Sequence, residues 1–547
     1  FSLLGIAFAL WLREIPAGHP DPRLWFNVFY VLFARNEPLG LGIVVVFSAA
    51  AFLLLRMRDT QAPRLLPCEG PPRPGWIAGA VALTVFILTA VGTHVVCHNY
   101  GLTADENLGD FQAKIFLRGK VLAEVPTQWQ PAARMLAPTF VDYFPRTHSW
   151  KSTYLPVYAA MRALFQSVNL QSLLNPLLAA ISVLALYGTA RRVWPGQKRN
   201  AFIAIALLAT SSQFLLMSMT WYAMPAHLAL NLVWLWLYLS PDWRKFYLAP
   251  VVGVLAIGLH QPIVHALFVL PFLFRLLRER RWRPVVIFAL MYLAGCALWY
   301  AWKAYYTVPA DPSQPAAGIG QIFRLVHPEM AAIQPMNLLL VIGWACLATP
   351  LLALLGFRQF FRLPAFLRDA ALSCVLTFGF YYFFYLDQGH GWGYRYFHGT
   401  LGCLVLVAVA GWNALQEKVG LRRASLFLAS GIVASIVIQL PLRCWQVESF
   451  VRPYARTGVA LHALPVQLVA LDARDAWYSA DLIRNDPFLK DRPLIVSLFM
   501  LNQSAVPVLQ VAGKTRFITK EMLTELGMHT KRHADMAPDP FMLGRGK

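Results

Sequence analysis

The sequence is poor in acidic residues and in cysteine. Its 547 residues include 27 Asp and Glu against 48 Lys and Arg, and charged residues of both signs make up only 14%. The seven cysteines form no CxxC pair, which is the spacing typical of structural zinc and redox sites. The cysteines therefore give no indication of a metal or redox site.

Polar residues are too few to cover a soluble protein of this length. Hydrophobic residues make up 58% of the chain and aromatic residues 14%, and the mean hydropathy is +0.50. Such a composition is typical of membrane proteins. The apolar stretches are continuous and do not alternate residue by residue, which favours helices over strands in the bilayer. The sequence therefore predicts an all-α polytopic membrane bundle.

Stretches of about 20 mostly apolar residues suffice to cross a bilayer, and we predict about 11 to 13 such transmembrane helices. Residues 1–12 are interpreted as the remnant of one helix. Residues 246–277 are divided into two short spans, because His260, Gln261 and Pro262 interrupt the apolar run. The other predicted spans are 39–56, 76–96, 172–190, 200–217, 222–239, 284–303, 336–356, 370–386, 396–415 and 424–442.

The formal charge of +21 comes from basic residues that cluster in alternate loops. Such clusters mark the cytoplasmic side of a membrane protein. We therefore expect a multi-pass protein of the bacterial inner membrane, with residues 97–171, 304–335 and 387–395 and the tail after residue 442 on the outer side. Short juxtamembrane clusters without interleaved aromatic residues argue against nucleic acid as a partner and for the lipid bilayer.

The first of three polar interruptions follows the predicted span 76–96. Thr103 and Glu106 have the spacing of a capping box, and Asp105 and Glu106 lie where a helix begins. Negative charge is stabilised there by free backbone amides. The residues that follow predict an amphipathic helix along the membrane surface. Because Thr103 and Glu106 account for the cap, Asp105 is left to point elsewhere and is the stronger functional candidate.

The second and third interruptions lie on the same predicted side. The second consists of His148, Trp150, Lys151 and Tyr154, which precede an apolar helix, and the lysine is either an interfacial side chain or a cation for a phosphate group. Trp150 and Tyr154 fit the aromatic belt of the membrane interface equally well. The third runs from Asp387 to Tyr396 and has glycines at alternate positions. Glycines allow close approach of a ligand to the backbone, although ordinary turns also need them. An arginine beside a span on the less basic side of the membrane is harder to explain without a partner.

The chain divides into three predicted regions. Residues 1–75 carry extra transmembrane helices, residues 76–442 form the core with its outer loop 97–171, and residues 443–547 form a small soluble α/β domain. In this last domain we predict strands at 467–470, 494–498 and 516–519 and a helix at 475–484. The domain has no glycine-rich phosphate loop, so we assign it no catalytic role.

Together the three interruptions resemble the GT-C class of membrane glycosyltransferases, in particular the branch of bacterial aminoarabinose transferases and protein O-mannosyltransferases. The resemblance covers roughly residues 76–442 and rests on the order of the motifs and their common side. The motifs are Asp105-Glu106, Trp150-Lys151 through Pro156, and Gly391-Trp392-Gly393-Tyr394-Arg395-Tyr396. It implies a GT-C-like core in which a sugar moves, with inversion, from a polyprenyl-phosphate donor to a hydroxyl or similar nucleophile of a lipid, protein or glycan.

The resemblance also implies roles for single residues. Asp105, with Glu106 beside it, is expected to be the catalytic base, because the acceptor hydroxyl must lose its proton. Lys151 and Arg395 are expected to bind the donor phosphate. Substrate-binding roles fall to His148, His390, Trp392 and Tyr394. No cofactor or metal is required, although a divalent metal held by Asp105 with Asp110 stays an alternative.

Two other functions remain open from the sequence. A transporter or flippase for a lipid-linked or anionic substrate would have broken helices and polar residues within the membrane, and the interruption at His260 fits that hypothesis. A structural membrane subunit with the C-terminal domain as a docking module would leave Asp105, Lys151 and Arg395 apart from one another. The positions of these three side chains therefore discriminate between the functions.

Overall fold

The computed structural model describes most of the chain. The described residues are 1–15, 27–56, 74–306, 328–383, 388, 391–472, 478–501, 505–507 and 514–528. Helices dominate, and the two small sheets both belong to segments predicted to lie outside the membrane. The fold thus confirms an α-helical membrane bundle with a small α/β appendage.

The helices follow the apolar segments of the sequence. The α-helices are Ser2–Glu14, Val28–Arg56, Pro74–Val95, Ala104–Phe116, Ala133–Leu136, Pro156–Gln166, Leu174–Val193, Lys198–Ala209, Ser212–Met219, Met224–Tyr238, Trp243–Ile257, Pro262–Arg278, Trp282–Tyr306, Pro328–Trp344, Thr349–Arg358, Ala365–Phe380, Leu401–Val419, Leu421–Ala434, Leu440–His462 and Lys520–Glu525. A π-helical stretch, Ser435–Gln439, joins two of them. Short 3-10 turns are Thr127–Ala132, Gln171–Leu173, Phe360–Arg362, Arg395–Thr400, Ala480–Leu482 and Leu498–Met500.

Fewer helices reach the length of a full span than the sequence predicts. In the described part of the chain, six helices are long and apolar enough to cross a membrane, or up to eight if each of two bent pairs counts as one span. The difference from the 11 to 13 expected spans comes from short helices. Met224–Tyr238 and Trp243–Ile257 have 15 residues each, or about 22 Å at 1.5 Å per residue, against a hydrocarbon layer of about 30 Å.

Breaks interrupt three of the apolar stretches. The break expected near His260 is confirmed, because one helix ends at Ile257 and the next begins at Pro262. The predicted span 200–217 consists of two helices bent by 56°, and the predicted span 336–356 contains a bend of 117°. At the first bend the Ser211 side chain accepts a hydrogen bond from the Phe214 amide and starts a new helix. Such a cap competes with continuation of the preceding helix.

A buried ion pair joins the N-terminal helices to the last long helix. Arg443 Nη2 lies 2.8 Å from Glu37 Oε2, and both side chains are almost fully buried. Trp344 donates a hydrogen bond from Nε1 to Glu37 at 2.9 Å, and the Arg443 guanidinium lies 4.2 Å from the centre of a Trp344 ring. Charges in an apolar bundle need partners of this kind, so the pair fixes the position of helix Val28–Arg56 against the core.

The polar loop and the C-terminal segment form one layer beside the bundle. The loop has an antiparallel sheet in the order β1-β3-β2, with strands Ala123–Glu124, Val141–Phe144 and Ser149–Ser152 in chain order. The C-terminal segment has a parallel sheet in the order β5-β4-β6, with strands Leu468–Leu471, Leu494–Ser497 and Thr515–Ile518 in chain order. These confirm the three strands predicted there.

The loop and the C-terminal segment share a hydrophobic core. Leu108 and Trp150 of the loop belong to the same buried cluster as Leu468, Leu494 and Val496 of the C-terminal sheet. Trp150 Nε1 also donates a hydrogen bond to the Pro487 carbonyl at 2.8 Å. The C-terminal segment is therefore fastened to the loop that carries the first two motifs.

The helix predicted at 475–484 differs from the structure. Residues 473–477 lie outside the described part, and the rest of this stretch contains only the 3-10 turn Ala480–Leu482. Residue 443, predicted as the start of a soluble domain, lies within the helix Leu440–His462. The composition changes near this residue, but the helix continues, because hydrogen bonds along the backbone do not depend on the polarity of the side chains.

Candidate active site

The surface helix begins with the predicted capping box. The Thr103 side chain faces the amide of Glu106, and the Glu106 side chain faces back to the amide of Thr103. Glu106 Oε2 accepts hydrogen bonds from the amides of Leu102 at 2.8 Å and Thr103 at 3.2 Å, while Oε1 accepts one from the Trp221 amide at 3.1 Å. Burial raises the pKa of Glu106 to about 7, against the effect of these amides. Both carboxylate oxygens are thus occupied by the backbone.

Asp105 faces away from the cap and meets the arginine of the third motif. Arg395 Nη1 lies 2.6 Å from Asp105 Oδ2, and both side chains are largely buried. The Tyr154 hydroxyl donates a hydrogen bond to Asp105 Oδ1. Burial alone would raise the pKa of Asp105, but the charge of Arg395 and the bond from Tyr154 bring it below its ordinary value. Segments 49 and 290 residues apart from Asp105 along the chain converge here.

The loop that carries Arg395 is held by two glutamine side chains. Gln388 Oε1 accepts the Arg395 amide at 2.9 Å, and Gln213 Nε2 donates to the Tyr394 carbonyl at 2.8 Å. Gly393 has a φ of +79°, and a Cβ atom there would lie 2.6 Å from Gln213 Oε1. Glycine is required at this position both for the backbone conformation and for the close approach of the glutamine.

Trp392 and Tyr394 are part of the aromatic core around this loop. Trp392 is buried and stacks on Trp344, with ring centroids 6.3 Å apart. Tyr394 is fully buried and has its ring near those of Tyr381 and Tyr396. Trp392 and Tyr394 therefore support the Arg395 loop by packing. Their substrate-binding role stays a prediction.

Aromatic rings also flank the Arg395 guanidinium. Its central carbon lies 5.1 Å from the ring centroids of both Tyr222 and Tyr396. The Tyr222 hydroxyl is 3.0 Å from Thr103 Oγ1 at the start of the surface helix. A cation held between ring faces is oriented as well as stabilised, so Arg395 is fixed in position against Asp105.

Lys151 lies on strand β3 and is almost fully buried. Its strand partner is Asp142, and Nζ lies 3.9 Å from Asp142 Oδ2. Burial lowers the pKa of Lys151, Asp142 opposes this, and the nearby charge of Lys303 lowers the pKa further. Among the described residues no hydrogen bond or ion pair joins Lys151 to Asp105 or Arg395. Its phosphate-binding role stays a prediction, although two neighbouring cations are a suitable environment for an anion.

Of the two histidines predicted to bind substrate, only His148 lies in the described part of the chain. His148 is exposed at the turn between strands β2 and β3, where Nδ1 is 3.1 Å from the Tyr143 hydroxyl. It is separated from Lys151 by about 10 Å of strand at 3.3 Å per residue, at the end of the hairpin away from Tyr154. His390 lies outside the described residues.

The C-terminal segment contributes charged residues near Asp105. Arg484 Nη2 donates a hydrogen bond to the Gly101 carbonyl, and its guanidinium lies 3.7 Å from the ring centre of Tyr100. Burial raises the pKa of Asp481 to about 7, with Arg484 opposing the shift and the charge of Asp105 adding to it. Asp481 is thus close enough to Asp105 for the two carboxylates to interact electrostatically. No motif in the sequence of this segment predicts a place beside Asp105.

The alternative of a divalent metal at Asp105 and Asp110 lacks a set of ligands in the part of the chain that the structure describes. No group of three His, Cys, Asp or Glu side chains there is arranged to hold a metal ion. Asp110, the suggested partner of Asp105, instead forms an ion pair with Arg162 at 2.5 Å. This arrangement anchors the surface helix to the helix Pro156–Gln166.

Tyr154 and His260 are site residues whose positions in the sequence favour other roles. By its position in the sequence, Tyr154 fits the aromatic belt of the membrane interface, and His260 marks the break in an apolar run. Their ring centroids lie 3.9 Å apart, and Tyr154 bonds to Asp105. The polar interruption at His260 was the available signal, but its distance in sequence from the three motifs concealed the contact.

The fold is similar to that of a protein of known structure. No protein-family model and no curated protein matches the chain. Among solved structures, the chain is similar to ArnT from Cupriavidus metallidurans bound to undecaprenyl phosphate, with a TM-score of 0.52 and 15% identity over 81% of this chain and 90% of that chain. The same protein in the apo state gives a TM-score of 0.46 and 13% identity over 76% and 85%.

The likeness to the first of these structures confirms the fold expected from the motifs. The chain is a multi-pass membrane protein with a GT-C fold, and the likeness extends over most of both chains. Proteins of one fold differ in their reactions, so the chemistry must be argued from the side chains.

Proposed function

We propose that this protein is an inverting glycosyltransferase of the bacterial inner membrane. It moves a sugar from a polyprenyl-phosphate donor to an acceptor hydroxyl at the outer face. The observation that carries the proposal is the buried contact of Asp105 with Arg395, at 2.6 Å, on a fold of the GT-C type. The solved neighbour is bound to undecaprenyl phosphate, and a lipid of this kind is a donor carrier that the bundle can reach from the bilayer.

The proposed reaction needs one base and cations at the leaving group. The acceptor oxygen forms a bond to the anomeric carbon while the bond from that carbon to the phosphate oxygen breaks. Asp105 takes the acceptor proton, and the polyprenyl phosphate leaves with the electron pair of the broken bond. Arg395 and Lys151 stabilise the charge that develops on the phosphate. Direct attack with a single base inverts the anomeric configuration, in contrast to the covalent route with two carboxylates.

The ion pair must open before Asp105 acts as a base. In the structure Arg395 and Tyr154 hold the pKa of Asp105 below its ordinary value, so the carboxylate is a weak proton acceptor. A donor phosphate would compete for the Arg395 guanidinium, because phosphate is also an acceptor for its paired N–H groups. Once Arg395 turns to the phosphate, burial dominates and the pKa of Asp105 rises. Binding of the donor thereby activates the base.

A transporter for a lipid-linked or anionic substrate is the second candidate. The two bent helix pairs, at 56° and 117°, favour it, because broken helices often form binding sites in transporters. The charged site, however, lies beside the loop and the C-terminal segment, and the Asp105–Arg395 pair matches the needs of group transfer. The transferase is therefore the better supported of the two.

The proposal is tested with purified protein and radiolabelled polyprenyl-phosphate sugars. We expect label to pass to an acceptor with wild-type protein, and Asp105→Asn to lower the rate by about 10² to 10⁴-fold, the usual contribution of a general base. Glu124→Gln is the matched control, because Glu124 is an exposed carboxylate of the same loop. Transfer that survives Asp105→Asn would contradict the base assignment. Movement of the labelled lipid across vesicles without any transfer would instead support the transporter.

A further inference from the structure

The break between helices Trp243–Ile257 and Pro262–Arg278 is fixed against the site. The Val157 amide donates a hydrogen bond to the Gly258 carbonyl at 3.0 Å. A Cβ atom on Gly258 would lie 2.5 Å from Trp299 and 2.6 Å from Val157. Only glycine allows the break to approach its neighbours this closely, so His260, two residues on, has a defined position.

His260 is in direct contact with the active-site residues. Its side chain is buried, with 8% of the residue exposed. Its ring centroid is 3.9 Å from that of Tyr154, whose hydroxyl donates to Asp105. The imidazole is also close enough to Asp105 and Arg395 for their charges to affect it. His260 therefore belongs to the same cluster as the proposed base and the proposed phosphate ligand.

Neither ring nitrogen of His260 has a hydrogen-bond partner among the residues that the structure describes. In His265, five residues later, both ring nitrogens have partners: they lie 2.7 Å from Asn231 Oδ1 and 2.9 Å from the Tyr292 hydroxyl. A buried polar group without a partner is unfavourable and needs an explanation. His227 and His398 share this property, but the ring contact to Tyr154 belongs to His260.

The charge state of His260 suits one kind of ligand. Burial lowers its pKa to about 4, with Asp105 opposing the shift and Arg395 adding to it, so the ring is neutral near pH 7. A neutral imidazole offers one N–H donor and one nitrogen acceptor. This matches a hydroxyl group, which also donates and accepts, better than a phosphate, which needs cations.

We propose that His260 is a substrate-binding residue whose free ring nitrogens bind hydroxyl groups of the donor sugar. This inference rests on the proposed function, since it assigns one part of the same donor. Arg395 and Lys151 bind the phosphate, and His260 recognises the sugar attached to it. The protein then distinguishes a donor lipid that carries a sugar from the bare lipid phosphate that it releases.

The test compares two lipids that differ only in the sugar. Dissociation constants are measured in nanodiscs for undecaprenyl phosphate and for the undecaprenyl-phosphate sugar that wild-type protein turns over. His260→Phe keeps a ring against Tyr154 but removes both nitrogens. We expect it to weaken binding of the sugar lipid about tenfold, the loss of one hydrogen bond, and to change binding of undecaprenyl phosphate by less than about twofold. His260→Gln, which retains a donor and an acceptor, should recover part of the loss.

Controls separate this inference from the function on which it rests. His94→Phe changes an exposed histidine of the helix Pro74–Val95 and should leave both constants unchanged. If His260→Phe weakens both lipids equally, or neither, His260 does not bind the sugar. If the His260→Phe protein fails to fold, His260→Leu, which also lacks both ring nitrogens, takes its place under the same criteria. Failure of wild-type protein to bind either lipid refutes the proposed function itself.

Discussion

The ion pair of Asp105 and Arg395 has a structural and a catalytic role, and a double-mutant cycle separates them. The perturbations are Asp105→Asn, Arg395→Gln and the two together. The side chains are 13% and 8% exposed and their charged atoms are 2.6 Å apart. Removal of one partner leaves the other charge buried without compensation, which costs about 3 to 5 kcal/mol in known buried pairs.

The double variant should behave differently from the single ones. With both charges removed, the desolvation penalty disappears together with the attraction, so we expect the double variant to be within about 2 kcal/mol of wild type. The coupling free energy between the two sites should then be several kcal/mol, well above the few tenths found for independent sites. Transfer should not recover, because the double variant still lacks the base and the cation.

The assay measures both quantities on the same preparations. Unfolding free energies come from SDS titration in mixed micelles, and transfer rates from the radiolabelled donor. Single variants as stable as wild type would refute the buried ion pair. A double variant that recovers transfer together with stability would show that the pair serves only the fold, and the proposed mechanism would fail.

Three further predictions concern stability. Burial raises the pKa of Glu106 from 4.5 to about 7, so between these pH values the folded protein holds a proton that the unfolded chain releases. The free energy of unfolding should therefore fall by about 3 kcal/mol as the pH rises from 4.5 to 7 and then level off. Glu106→Gln should remove this pH dependence in SDS titrations at several pH values. Glu37→Gln leaves a buried arginine without its counter-charge and should cost about 3 to 5 kcal/mol, whereas the exposed Glu124→Gln should be neutral; equal stability of the two variants would contradict the buried pair. Trp150→Phe keeps an aromatic ring but loses the hydrogen bond to Pro487. It should lower the free energy of unfolding by about 1 kcal/mol and speed proteolysis of the C-terminal segment. Unchanged cleavage would show that this bond does not hold the segment in place.

Local rules were sufficient to predict the start of the surface helix. The capping box of Thr103 and Glu106 depends on residues three positions apart, so its geometry follows from the sequence alone. It also left Asp105 without a role in the cap, which marked this residue as the stronger functional candidate. The helix break at His260 was predictable for the same reason, because Pro262 and the polar residues before it end an apolar run.

Contacts between distant segments were not predictable in this way. The ring contact of Tyr154 with His260 joins residues more than a hundred positions apart and depends on how the helices pack. Trp150 resembled an interfacial aromatic residue, yet its N–H group binds the C-terminal segment. A single sequence has no signal for such pairs, since either residue satisfies its own local pattern. The length of a helix was also difficult to judge, because apolar composition does not reveal where a bend begins.

The charges in the proposed reaction explain why a second cation is needed near the first. A donor phosphodiester has one negative charge, but the released polyprenyl phosphate approaches about −2 near pH 7. Before transfer, Arg395 and Asp105 neutralise each other in the resting site. After transfer, Asp105 holds the acceptor proton, so Arg395 alone faces a phosphate with an additional charge. Lys151, buried and close to a second lysine, is the candidate that supplies the missing positive charge, and its lowered pKa would rise as the anion forms beside it.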